Sequence, residues 1–163
     1  MNTAYVLLGG NEGERLTNIE KSISFITELV GPISNKSKIY VTAAWGNTNQ
    51  PDFYNQVVCV STKLSATALL EALLLIENKL GRQRGDQKWQ ARTIDLDILF
   101  FNNDIIDTPD LKVPHPYIHE RKFTLVPLAE VASNLVHPIF KKSIADLLDE
   151  CNDTLEVNLL MQN

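Results

Sequence analysis

The nine residues TIDLDILFF at positions 93–101 constrain the fold more than any other stretch of this chain. Apolar residues alternate with acids there, which predicts a strand. Strict alternation places Ile94, Leu96, Ile98 and Phe100 on one face and Thr93, Asp95, Asp97, Leu99 and Phe101 on the other. Asp95 and Asp97 then lie side by side, about 6.5–7 Å apart along the strand. Two carboxylates on a mostly apolar strand repel each other and resist desolvation unless something positive sits between them. A hard divalent cation with oxygen ligands answers that need, and Mg²⁺ keeps waters and substrate phosphates as its other ligands. An isolated Asp-x-Asp pair also suits an ordinary solvated face. The upstream segment favours the metal, because Arg82, Arg84 and Arg92 crowd the approach with Lys88 and Trp89 between them. Guanidinium forks and a metal together suit a polyphosphate.

The charge distribution agrees. The chain has 163 residues, 44% hydrophobic and 21% charged, which predicts one domain over 1–163 with a sizeable core. A formal net charge of −5 argues against a nucleic-acid coat or a membrane-surface binder. Four of the five arginines, Arg82, Arg84, Arg92 and Arg121, fall within forty positions, which suggests a local anionic ligand. Cys59 and Cys151 have no metal-type spacing. With no signal-peptide pattern and no stretch long enough to span a bilayer, a cytoplasmic protein with free thiols is expected.

Along the chain, Ala4–Gly9 reads as a buried strand. Leu16, Ile19, Ile23, Ile26 and Val30 recur at helical spacing, with Gly31-Pro32 as the stop. Lys36–Thr42 and Phe53–Leu64 read as the second and third strands, separated by a loop of turn formers. Ser65 is the expected N-cap of a helix carrying Leu69, Leu70, Leu73, Ile76 and Leu80, with Gly81 just past its end. The arginine-rich loop 82–92 leads into the strand 93–101. A proline-punctuated segment (109–117) follows, then short helices near Leu125–Ala132 and Ser143–Glu150. The predicted order is β-α-β-β-α-β, the split-βαβ pattern of an α+β fold, with extra C-terminal helices.

Several further residues are candidates for a site. Glu77 shares a helical face with Leu73 and Leu80, either snorkelling to the edge of the core or accepting a ligand hydroxyl. In VPHPYIHERKF, His115 and His119 lie four apart, followed by Arg121 and Lys122. Zinc is one reading, although no third ligand is apparent. Donors to phosphate oxygens are another, and a capped surface turn starting at Pro116 is a third. Phe53 and Asn55 share a strand face, which with Phe123, Trp45 and Trp89 suits a flat heteroaromatic ring read along its edge.

LGGN at 8–11, WGNTNQPDFYNQV at 45–57, GRQRGDQKWQARTIDLDIL at 81–99 and VPHPYIHERKFTLVPLAE at 113–130 carry a resemblance across nearly the whole core. In these segments the chain resembles the 6-hydroxymethyl-7,8-dihydropterin pyrophosphokinase family, and R-T-I-D-L-D-I-L looks like its signature. The resemblance implies a ferredoxin-like βαββαβ core and transfer of pyrophosphate from ATP to a pterin alcohol, in folate biosynthesis. It implies two Mg²⁺ ions at Asp95 and Asp97. Arg82, Arg84, Arg92, His115 and Arg121 would contact the triphosphate, and Trp89 would close over it. Phe53 and Phe123 would sandwich the pterin, Asn55 would bind its edge, and Thr42, Ala43 and Trp45 would line the pocket. Glu77 would reach the nucleotide; Ile98 and Leu111 would border the adenine. Gly10, Ala43-Ala44, Gln90 and Tyr117 depart from the common pattern, Tyr117 standing where a basic residue is frequent, and none removes a charged group that the chemistry requires.

The expected partners are therefore ATP and the pterin, with no nucleic acid and no membrane, bound by a monomer. Two rivals stay open. Sheets of this order also bind RNA through exposed aromatics, although the basic-aromatic run of such modules is missing here. Another Mg²⁺-dependent phosphoryl- or nucleotidyl-transfer enzyme would also use an Asp-x-Asp pair.

Overall fold

The computed structural model describes residues 1–43, 49–81 and 93–160. Strand β1 (Asn2–Gly10) lies at the centre of an antiparallel sheet, between β4 (Phe53–Thr62) and β5 (Asp95–Phe101). Beyond β4 come β2 (Ile33–Lys36) and β3 (Tyr40–Thr42), and a last short strand, β8 (Val157–Leu159), pairs with β3. Helices α1 (Arg15–Leu29) and α2 (Ala66–Lys79) make the two crossovers, giving the βαββαβ order predicted above when β2 and β3 are taken as one interrupted strand. The C-terminal half adds a hairpin of β6 (Ile106–Asp107) and β7 (Lys112–Val113), a 3₁₀ turn at Ile118–Glu120, α3 (Lys122–Ala132) and α4 (Ile144–Glu150). Among the described residues no helix is long and apolar enough to cross a membrane.

Each sheet face buries its own core. One face packs Ala4, Val6, Leu8, Leu96 and Ile98 against Ile19 and Ile26 of α1 and Leu69, Leu73 and Ile76 of α2. The opposite face packs Leu7, Val57, Leu99 and Phe100 against Leu125 and Leu128 of α3 and Ile144 and Leu147 of α4. These are the layers expected when a sheet must cover both apolar faces. Local signals behave as their chemistry requires: Ser65 Oγ accepts the Ala68 amide at 3.1 Å, and Ser143 Oγ accepts that of Asp146 at 3.1 Å. Gly31, at φ +157°, leaves α1 hard against β4. A Cβ there would lie 2.0 Å from the Ser61 carbonyl oxygen, so no larger residue fits without moving the strand.

Two expectations need correction, and both concern strand regularity. The predicted strand Lys36–Thr42 is instead two strands, β2 ending at Lys36 and β3 starting at Tyr40. Ser37 causes the break, because its hydroxyl accepts the Val57 amide at 3.0 Å and donates to the Lys38 carbonyl at 2.7 Å. A side chain thus replaces a ladder partner at that point.

The second correction concerns β5. Val6 stands opposite Ile98 and Tyr5 opposite Phe100, so Leu99 is an extra residue, a bulge. Leu99 and Phe100 consequently enter the core with α3 and α4, while Phe101 joins Ile98 on the α1/α2 side. Strict alternation had assigned Phe100 and Phe101 the other way round. The bulged Leu99 carbonyl accepts the His115 amide at 3.0 Å, which brings the VPHP segment alongside β5.

Candidate functional site

The sheet face under α3 and α4 changes character along its strands. Leu7, Val57 and Leu99 are apolar and covered, whereas Gly9, Asn55, Asp95 and Asp97 continue the same face toward one end. In register, Gly9 stands opposite both Asn55 and Asp95, and Leu7 stands opposite Asp97. This end opens into a cleft of about 890 Å³, whose walls include Leu7, Gly9, Thr42, Ala43, Gln50, Phe53, Asn55, Asp95 and Asp97. Its far side is formed by Tyr117, Glu120, Arg121, Phe123 and the segment Asn152, Asp153 and Thr154.

Eight of the expected site residues therefore meet in one space: Thr42, Ala43, Phe53, Asn55, Asp95, Asp97, Arg121 and Phe123. Trp45, Arg82, Arg84, Trp89 and Arg92 lie outside the described residues. Glu77, Ile98, Leu111 and His115 are not among the cleft walls. Ile98 and Leu111 pack their side chains into the core with α1 and α2. Glu77 is only 3% exposed, and its carboxylate accepts the Leu96 amide at 2.8 Å. It thereby fastens the start of β5 between the two aspartates.

The Asn55 end of the cleft is preorganised. Asn55 is buried, and its amide Nδ2 donates to Thr42 Oγ1 at 2.9 Å, leaving Oδ1 as an acceptor. Gly9 makes that placement possible: an added Cβ would lie 2.5 Å from Asn55 Oδ1. Asn11, buried beyond the end of β1, holds the loop leading to β4 by donating to Gln50 Oε1 at 2.8 Å and to the Pro51 carbonyl at 3.1 Å. Phe53 of β4 and Phe123 of α3 each supply an aromatic ring to the walls. The guanidinium of Arg121 lies over Tyr117 at 4.9 Å and near the Phe123 ring at 5.7 Å, so those rings hold the cation within the cleft wall.

Asp95 and Asp97 are both half-buried on this face. Among the described residues no group of three or more His, Cys, Asp or Glu could hold a metal ion by itself. The donor set is two hard carboxylates in an open cleft, which fits Mg²⁺ completed by waters and phosphate oxygens and does not resemble a closed protein cage. A zinc pair at His115 and His119 fits poorly. His119 lies in the 3₁₀ turn with its ring 4.6 Å from that of Phe140, while His115 lies in the preceding loop against Tyr117. Nor does a helix begin at Pro116, since the 3₁₀ turn starts at Ile118.

Burial pushes the His115 imidazole down to about 4, with the charge of Arg121 adding to the effect. It is neutral at pH 7. Its Nδ1 accepts the Tyr117 amide at 3.2 Å, which puts the ring proton on Nε2 as a donor.

Some cleft residues carried little warning. Gly9 sits in the LGGN run and Gln50 in the loop motif, so both had a local signal. Asn152, Asp153 and Thr154 had none, because contacts between distant segments bring them there: the pairing of β8 with β3 and the bond of Asp153 to the Lys122 amide.

Comparison with known proteins accords with this geometry. Residues 5–133 match the family model described as 7,8-dihydro-6-hydroxymethylpterin-pyrophosphokinase (HPPK). The chain is 38% identical over 150 residues to 2-amino-4-hydroxy-6-hydroxymethyldihydropteridine pyrophosphokinase of Aquifex aeolicus, covering 92% of each chain. It is 41% identical over 135 residues to the protein of that name from Bacillus subtilis, covering 82% of this chain and 80% of that one. A crystal structure of Plasmodium falciparum HPPK-DHPS with pteroate superposes with a TM-score of 0.72 at 17% identity, over 91% of this chain and 44% of that one, a likeness of fold. On the matched motifs, the shared fold and these identities, the chain belongs to the 7,8-dihydro-6-hydroxymethylpterin-pyrophosphokinase family.

Proposed function

We infer that the cleft carries out the family reaction, transferring the pyrophosphoryl group of ATP to the hydroxymethyl oxygen of 6-hydroxymethyl-7,8-dihydropterin in folate synthesis. One observation carries the reading: the aspartate pair and the Phe53–Asn55–Phe123 pocket face the same cleft on the same side of the sheet. A phosphate chain and a flat ring are thereby brought within reach of each other.

In this reading the pterin stacks between Phe53 and Phe123, and Asn55 Oδ1 accepts from its edge while Thr42 holds the amide in place. Asp95 and Asp97 would hold two Mg²⁺ ions, which when bound neutralise the triphosphate and orient it. Arg121 reaches the phosphates from the α3 side, and neutral His115 offers its Nε2 proton to a phosphate oxygen. Arg82, Arg84 and Arg92 complete the anion site, and Trp89 closes over it. The hydroxymethyl oxygen attacks the β-phosphorus in line, the bond from that phosphorus to the α–β bridging oxygen breaks, AMP departs and the hydroxyl proton is released. This reading takes the protein as a single cytoplasmic domain that acts as a monomer.

The product identifies the reaction. Incubation with ATP, MgCl₂ and the reduced hydroxymethylpterin is expected to yield AMP and the pterin diphosphate. ADP in its place would mean simple phosphoryl transfer, and free pyrophosphate would mean nucleotidyl transfer. Salt-sensitive RNA binding without ATP turnover would move the protein to the binding-module class.

Gly9→Ala tests the pterin pocket separately. The new methyl must displace the Asn55 amide, so pterin affinity should fall about tenfold, the scale of one misplaced buried hydrogen bond. Titration of pterin fluorescence measures it, and an unchanged Kd would remove Asn55 from the recognition scheme.

A further inference from the structure

The segment between α4 and β8 has a task that its sequence does not announce. Asp153 uses both carboxylate oxygens on backbone amides. Oδ1 accepts from Leu155 at 3.0 Å, closing its own turn, and Oδ2 accepts from Lys122 at 3.1 Å. Lys122 is the first residue of α3, and the residue before it, Arg121, gives that helix no side-chain cap. The cap is supplied from 31 positions away in the chain. An uncapped first turn leaves backbone donors without partners and frays. The first turn of α3 carries Phe123, with Arg121 immediately before it, and both face the cleft.

The same segment grips the opposite wall. Just after Asp153, β8 pairs with β3, and Val157 stands opposite Thr42, the residue that holds the Asn55 amide. Asn152, Asp153 and Thr154, at and beside the first attachment, are cleft walls.

We propose that Asp153 is a positioning residue for the pterin site, fixing the start of α3 so that Phe123 stands ready opposite Phe53. The proposal rests on the pterin reading of the cleft. With the cap in place, the aromatic wall is ordered before the ring arrives. Without it, binding must also supply the ordering of the first turn, and affinity falls by the corresponding factor.

Steady-state kinetics with Asp153→Ala, Asp153→Asn and Ser143→Ala test it. Ser143→Ala removes a helix cap of the same kind from α4, and Ser143 is not a cleft wall. Wild-type AMP formation is measured first, and its absence would sink the functional reading, not the role of Asp153. Given wild-type turnover, Asp153→Ala should raise the KM for pterin about tenfold at temperatures where thermal melts show it fully folded. Asp153→Asn, which keeps one acceptor oxygen, should recover part of that loss. Ser143→Ala should lower the Tm and leave the KM for pterin within twofold of wild type. If Asp153→Ala merely matches Ser143→Ala, with a lower Tm and an unmoved KM, Asp153 is an ordinary structural cap and the proposal is wrong.

Discussion

Asp97→Ala is expected to lower the rate of AMP formation about a thousandfold, while binding of the pterin alone changes by less than about twofold. The asymmetry follows from where the carboxylate sits. Asp97 is half-buried on the cleft face opposite Leu7, on the edge strand β5, whereas Asn55 and Thr42 lie across the sheet on β4 and β3. Removing one of two neighbouring carboxylates leaves too little negative charge to hold divalent ions against the triphosphate. The arginines would then face a polyanion alone, with no group orienting the β-phosphorus for in-line attack. Single-turnover measurement of AMP, alongside pterin fluorescence titration, separates the two steps. Near-normal turnover in the variant would show that Asp97 is not a metal ligand. A parallel loss of pterin affinity would show that the pair belongs to the ring pocket.

The second large effect concerns Glu77, whose carboxylate is buried and bonded to the Leu96 amide between the two aspartates. Glu77→Ala removes a buried acceptor and strands that amide in the interior, costing about 1–3 kcal/mol of stability. The start of β5 loses its anchor at the same time. Turnover should therefore drop even at temperatures where the variant is folded, since a displacement of about 1 Å at the proposed metal ligands is enough to matter. Glu77→Gln keeps an acceptor oxygen and should recover most of the stability. Urea denaturation and AMP formation check the pair of expectations. If Glu77→Ala is as stable as wild type, the Leu96 bond is not what holds β5. If its stability falls while turnover does not, anchoring the strand end is irrelevant to the chemistry.

Much of the site could be read locally. The Asp95/Asp97 spacing on a strand, the Phe53/Asn55 alternation and the Ser65 cap each follow from periods and side-chain chemistry within a few residues. Asp95, Asp97, Phe53 and Asn55 all line the cleft, and Ser65 caps α2. Glu77 showed both the strength and the limit of such reading. Its place on the helix face with Leu73 and Leu80 was legible, but its hydrogen-bond partner was not, because Leu96 comes from another element 19 positions later. The histidines were harder. Four-residue spacing suggests a shared helix face, yet His115 and His119 occupy a loop and a 3₁₀ turn and meet different rings.

From its order of residues alone this chain determines its main helices and long strands, and that acids, arginines and aromatics recur in the pattern of one enzyme family. Those properties are set by forces acting over one or two turns or along one strand. Only the tertiary structure decides that Ser37 breaks the second strand, that a bulge at Leu99 sends Phe100 and Phe101 to opposite cores, and that Asp153 caps a helix beginning 31 residues before it. Each of these depends on which backbone groups lie across a sheet or cleft, and that pairing comes into existence only when distant segments pack.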